Sequence, residues 1–180
     1  MSVTINGNGT ITGYEPVANG SITAAKLASG AITTAALPAG SVIQVVSSEQ
    51  ASDSSNTTQT FSDIGLSANI TPSSASSKIL VTAIVNGVHK TQAQLNQLQL
   101  RLMRDSTAIG EFATEACHSD GHLTHMGIGT GGATSALDSP NTTSQVTYKV
   151  QMRKRLGNTI TTTAQYAGAK SYITLMEIAA

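Results

Sequence analysis

The densest concentration of groups able to do chemistry is the run Cys117-His118-Ser-Asp120-Gly-His122-Leu-Thr-His125. Imidazole, thiolate and carboxylate are the ligand types of zinc and other transition metals. The spacing, however, matches no zinc motif. On a strand, His118 and His122 share one face and His125 points to the other, although a three-fold axis could gather one histidine from each of three copies. The favoured reading is a polar, Gly-containing loop at a domain tip or subunit contact, with His118, His122 and His125 kept as candidate metal ligands. Histidines at such a contact charge below about pH 6.5 and would make an assembly sensitive to acid.

Two further patterns invite a catalytic or cofactor reading. Gly127-Ile-Gly129-Thr-Gly131-Gly132 fits the dinucleotide phrase G-x-G-x-x-G, but that phrase needs a strand before it and a helix after it to face a pyrophosphate. Here Ala133 to Pro140 follows and reads as loop, so no cofactor is expected. Asp105, Glu111, Glu115 and Asp120 could pair as carboxylates for glycoside hydrolysis. With no Trp, two Phe and four Tyr in the chain, little is left to stack on a sugar ring. No nucleophile elbow, HExxH or phosphate loop occurs, so the chain is not expected to be an enzyme.

The composition narrows the class further. Only 11% of the 180 residues are charged, ten basic against ten acidic, where ordinary soluble proteins carry about 25%. No basic footprint for nucleic acid results, and Arg153-Lys154-Arg155 reads as a solvated strand end. No stretch approaches the ~18 apolar residues of a membrane span, and the amino terminus has neither a basic start nor an apolar run, so neither membrane nor secretion signal is expected. The single cysteine, Cys117, excludes an intrachain disulfide framework.

The elements that must position these residues are strands. Val42 to Val46 is a β run bounded by Pro38-Ala-Gly40 and followed by a Ser/Asn/Thr-rich loop. Lys78 to Val85 is nearly continuous apolar, the pattern of a strand buried on both faces, and Asn86-Gly87 supplies a turn. Leu98, Leu100 and Leu102 alternate with polar residues, as do Val146, Tyr148, Val150 and Met152, with Thr147, Lys149, Gln151 and Arg153 facing out. Thr159 to Thr163 is β-branched after a Gly157-Asn158 turn, and Ser171 to Ile178 is a strong final strand. Residues 92–97 are the one stretch that could read as helix. Eight to ten short strands predict an all-β, antiparallel β-sandwich head over residues 41–180.

Residues 1–40 have too few apolar residues for a core. They instead repeat a ten-residue phrase: Gly20-Ser-Ile22-Thr, Gly30-Ala-Ile32-Thr, then Gly40-Ser-Val42-Ile43, with Gly9-Thr-Ile11-Thr as a looser copy and Leu27 and Leu37 in register. A unit with one or two apolar residues cannot bury them alone and is stable when neighbouring chains supply the missing faces. An extended arm or short stalk is predicted, with Ile11, Ile22, Leu27, Ile32, Leu37 and Val42 as its trimerisation and anchoring residues.

These phrases resemble a known family. The Gly-x-Ile-Thr-x-x-Lys-Leu unit is similar to stalk repeats in fibre and appendage proteins of tailed bacteriophages. Leu37 to Val46 resembles the junction into their carboxy-terminal head. Ile64 to Val81, Leu137 to Val150 and Ser171 to Ile178 resemble phrases within that head. The resemblance implies a homotrimeric virion protein with a jelly-roll-like head, made in the bacterial host cytoplasm, whose partners are other virion proteins of capsid or tail. It implies no catalytic set. About 40 residues must do the docking that longer amino-terminal regions do in such fibres, which leaves room for a capsid-decorating, head-fibre or short tail-fibre protein. The alternative is an adhesin whose loops recognise a host-surface glycan or protein.

Overall fold

The computed structural model describes residues 4–5, 11–12, 33, 36–91, 96–119, 125–156 and 160–180. The chain divides into two units, Met1–Leu37 and Pro38–Ala180. In the first, β1 (Thr4–Ile5) and β2 (Ile11–Thr12) form a two-residue antiparallel ladder with Ile5 opposite Ile11. Leu37 is half-buried. Ile22, Leu27 and Ile32 lie outside the described residues.

In the second unit the alternation of apolar and polar residues resolves into two antiparallel sheets packed face to face. Strands β5 (Ser62–Ile70), β10 (Val146–Lys154), β7 (Asn96–Arg104) and β8 (Thr107–Ser119) form a four-stranded sheet in that spatial order. The other sheet orders β3 (Val42–Gln50), β12 (Ser171–Ile178), β6 (Lys78–Thr91), β11 (Thr162–Ala164) and β4 (Ser54–Asn56), with β9 (His125–Asp138) also paired to β6. The inward residues make one core: Ile64, Leu66, Leu98, Leu100, Leu102, Tyr148 and Val150 from the first sheet meet Ile79, Val81, Ala83, Val85, Ile173 and Leu175 from the second. This is the antiparallel β-sandwich that the strand periodicity predicts.

Several local expectations are corrected. The apolar run Lys78–Val85 is buried on one face only: Ile79, Val81, Ala83 and Val85 face the core, while Leu80, Thr82 and Ile84 look outward and are part-exposed. Its neighbours in the sheet satisfy its backbone, but among the described residues no second layer covers its outer side. Asn86-Gly87 is not a turn. The strand runs through it with a register shift between Val85 and Asn86, and Gly87 has φ +61. A β-carbon at Gly87 would lie 2.5 Å from Ala169 Cβ and 2.8 Å from the Tyr166 backbone nitrogen, so this bulge lets β6 pass beneath the turn at 165–170. The Gly127–Gly132 phrase and its continuation to Asp138 are strand, hydrogen-bonded to β6. Two of the glycines serve close packing: a β-carbon at Gly131 would overlap Val88 Cγ2, and one at Gly132 would lie 2.5 Å from Ala113 Cβ.

β3 continues through Ser47–Gln50, expected as loop. Residues 96–97, expected as possible helix, begin β7; 92–95 lie outside the described residues, as does the Gly157-Asn158 turn. β8 has no counterpart in the sequence reading. Bulges at Ala113 (φ 50) and Cys117 (φ 55) break its alternation, so its buried residues Phe112, Ala116 and Cys117 show no period of two.

Candidate functional site

The head's first and last strands, β3 and β12, are neighbours, and Gly40 N–H donates to Ala179 O at 2.8 Å while Ala179 N–H donates to Ser41 O at 2.9 Å. Both ends of this unit therefore lie together. The two sheets then present outer faces of opposite character.

The outer face of the six-stranded sheet is uncharged across its middle. Register places Val45, Met176, Leu80 and Leu137 in one row across four strands, and Ser47, Thr174, Thr82 and Ser135 in the next. A third row carries Glu49, Tyr172, Ile84 and Ala133. Five of the six exposed large apolar side chains in the described residues, Val42, Val45, Ile84, Leu137 and Tyr172, sit on this face. Its charges stand at the margins, Lys78 at one end and Glu49, paired to Lys170 at 2.8 Å, at the other.

The outer face of the four-stranded sheet carries a hydrogen-bonded polar row. Asp63, Gln151, Arg101 and Glu111 lie opposite one another on β5, β10, β7 and β8. Asp63 accepts from Lys149 Nζ at 2.8 Å and from Gln151 Nε2 at 2.6 Å, and Gln151 Oε1 accepts from Arg101 Nε at 2.9 Å. In the next row Gln99 Oε1 accepts from Arg153 Nε at 2.7 Å, and Gln99 Nε2 donates to Glu111 at 2.6 Å. Both guanidiniums lie over the ring of Phe61, 4.0 Å (Arg101) and 4.5 Å (Arg153) from its centroid. Beside this pair a groove of about 240 Å³ is lined by Asp63, Gly65, Leu66, Ser67, Thr147 and Lys149. Burial raises the Asp63 carboxyl, but hydrogen bonds from Lys149 and Gln151 and the charges of Lys149 and Arg101 bring it below its ordinary value.

Two polar clusters brace the sandwich. The Glu177 side chain is fully buried and accepts from Ser73 N–H and Oγ, both at 2.7 Å, and from Gln44 Nε2. Burial alone would raise its carboxyl; hydrogen bonds from Gln44, Ser73 and Ser77 reverse this and hold it below the ordinary 4.5. Asp138 Oδ2 accepts from Tyr148 Oη and Arg104, each at 2.6 Å. Burial first, and the Asp138 carboxylate second, push the Tyr148 hydroxyl far above its ordinary value.

The residues singled out in the sequence are dispersed. His118 is exposed near the end of β8, and His125 opens β9 opposite Thr91. His122 and the His125 side chain lie outside the described residues. Cys117 is buried, its Sγ 3.1 Å from Val88 O. Among the described residues no three His, Cys, Asp or Glu side chains are grouped as metal ligands. Asp105 accepts from Thr147 N–H, Glu111 from Gln99 and Glu115 from Arg155; Asp120 lies outside the described residues. Arg153-Lys154-Arg155 is not uniformly solvated, since Lys154 is buried. Val42 is exposed on the head's first strand.

The Phe61–Arg101–Arg153 cluster was missed by sequence reasoning. The outward alternation of Lys149, Gln151 and Arg153 was visible on β10; the residues they meet come from β5 and β7, which only register brings alongside. No protein-family model matches the chain, and no curated protein matches its sequence.

Proposed function

We propose that this protein is a structural component on the exterior of a tailed-bacteriophage particle, a homotrimer anchored through its repeat-bearing amino-terminal unit and displaying the β-sandwich head. The observation that carries this reading is the adjacency of both ends of the head on β3 and β12. A domain entered and left at one end can be hung from an anchor with its other end outward. The outer face of the six-stranded sheet, uncharged across its middle with Lys78, Glu49 and Lys170 at its margins, supports a homo-oligomer, because a second copy can cover that middle without desolvating a charge. The repeats Gly20-Ser-Ile22 and Gly30-Ala-Ile32, each with too little apolar surface to stand alone, support an anchor ordered by neighbouring chains. Capsid decoration, a head fibre and a short tail fibre are all compatible with it.

Immunogold labelling of intact particles with an antibody to the head tests the reading. Gold around the capsid gives a decorating or head-fibre protein; gold on the tail gives a short fibre. Particles that carry no label, and no peptide of this chain by mass spectrometry, overturn it.

A second reading, an adhesin for a host-surface glycan or protein, has one observation in its favour: the groove beside Phe61, Arg101 and Arg153. The two readings are compatible in one molecule.

A further inference from the structure

We infer that the outer face of the four-stranded sheet is a binding site for an acidic saccharide, with Arg101 and Arg153 taking the carboxylate and the groove at Asp63, Ser67, Thr147 and Lys149 taking sugar hydroxyls. This rests on the second reading of function and gives it a ligand class.

The argument begins with what the two guanidiniums already do. Each commits its Nε to a glutamine, Arg101 to Gln151 and Arg153 to Gln99. Each also lies over the same phenyl ring, whose negative face attracts the cation. Their Nη atoms donate to no described residue. A guanidinium presents its donors in a planar fork that matches a carboxylate in two parallel bonds. Two forks held by glutamines and one ring are preorganised, so little side-chain entropy remains to be lost on binding.

The surrounding charge favours an anion. Lys149 and Arg155 are balanced by Asp63 and Glu115. That leaves Arg101 and Arg153 against Glu111, which accepts a hydrogen bond from Gln99. Among the described residues no other aromatic ring joins Phe61 in this network, and the guanidiniums lie over its face, so sugar stacking is not the main source of affinity. Recognition is by charge and hydrogen bonds instead.

The groove supplies the remainder. It is lined by Asp63, Gly65, Leu66, Ser67, Thr147 and Lys149. Its hydroxyls, amine and carboxylate are donors and acceptors of the kinds that sugar hydroxyls engage. Gln151 links groove to guanidinium pair, since it binds Asp63 on one side and Arg101 on the other.

The test uses the full chain against an immobilised panel of uronate-bearing, sialate-bearing and neutral oligosaccharides, followed by calorimetry with the best-bound member. Carboxylated members are expected to dominate, and reduction of the ligand's carboxyl to an alcohol should weaken binding at least about ten-fold, one bidentate charged contact. R101Q/R153Q should lose the same factor with its thermal midpoint unchanged. R101K/R153K, which keeps the charge and loses the fork, should recover only part of it. Should the variants fail to fold, the carboxyl-reduced ligand on the wild-type protein still decides. Neutral members binding as tightly as acidic ones would overturn the anion site while sparing a glycan-binding role. Silence across the whole panel would overturn the site and remove the observation that favours the second reading.

Discussion

Placing lysine at Val45 and Leu137 tests whether the uncharged face of the six-stranded sheet holds copies of the chain together. Each side chain is 56% exposed, so covering it contributes about 0.8–1.7 kcal/mol, taking about 1.5–3 kcal/mol for full burial. Val42, Tyr172 and Ile84, at 51%, 41% and 36%, raise the apolar total to about 4–7 kcal/mol per face on the same scale. Association itself costs about 4–15 kcal/mol, so this face works close to its threshold and depends on each member. V45K/L137K withdraws about 2–3 kcal/mol per face, before the cost of desolvating two ammonium groups. The dissociation constant of the oligomer should rise at least about 30-fold. Because both positions are more than half exposed, the head's own stability should change by no more than about 1 kcal/mol, the span of strand propensity. Sedimentation equilibrium of full-length wild type and variant, with circular dichroism as the folding control, reads both quantities. A folded variant with the wild-type mass at every dilution would show that this face carries no part of the assembly.

Two further predictions concern the polar clusters inside the head. Asp138→Ala strands the buried Tyr148 hydroxyl and removes the ion pair of Arg104, which keeps Ser139 O, and should cost about 1–3 kcal/mol in urea unfolding; a loss under about 0.5 kcal/mol, the size of an ordinary surface change, would refute the cluster's role. The Glu177 carboxyl is held below its ordinary 4.5, so the folded state binds its proton more weakly than the unfolded state does. Its contribution is complete above that ordinary value and is lost as pH falls through the lowered one. Wild type should therefore lose more stability than Glu177→Gln between neutral pH and about pH 3.5, below the reference carboxylate range; parallel pH profiles for the two would contradict the hydrogen-bond assignment.

The strands written as strict alternation were legible in the sequence. Leu98, Leu100 and Leu102, and Val146 to Met152, could only be half-buried strands, because a period of two puts every second side chain on one face. The repeats at Gly20, Gly30 and Gly40 set the amino-terminal region apart for a similar reason, namely too little apolar surface to form a core. Other features depended on what each strand met. The run Lys78–Val85 looked buried on both faces because hydrophobicity is local, whereas a second covering layer is a matter of tertiary structure. β8 was hidden because bulges at Ala113 and Cys117 break the period on which a strand is read. The glycines at 127–132 imitated a phosphate loop, yet Gly131 and Gly132 are required by the nearness of Val88 and Ala113, which lie far away in the chain. The guanidinium pair shows the same division. Arg101 and Arg153 were each visible as outward-facing residues, but antiparallel register alone brings them, Gln151 and Gln99 beside Phe61. Local periodicity determined which residues face in. Pairing between distant strands decided which of the outward ones stand together.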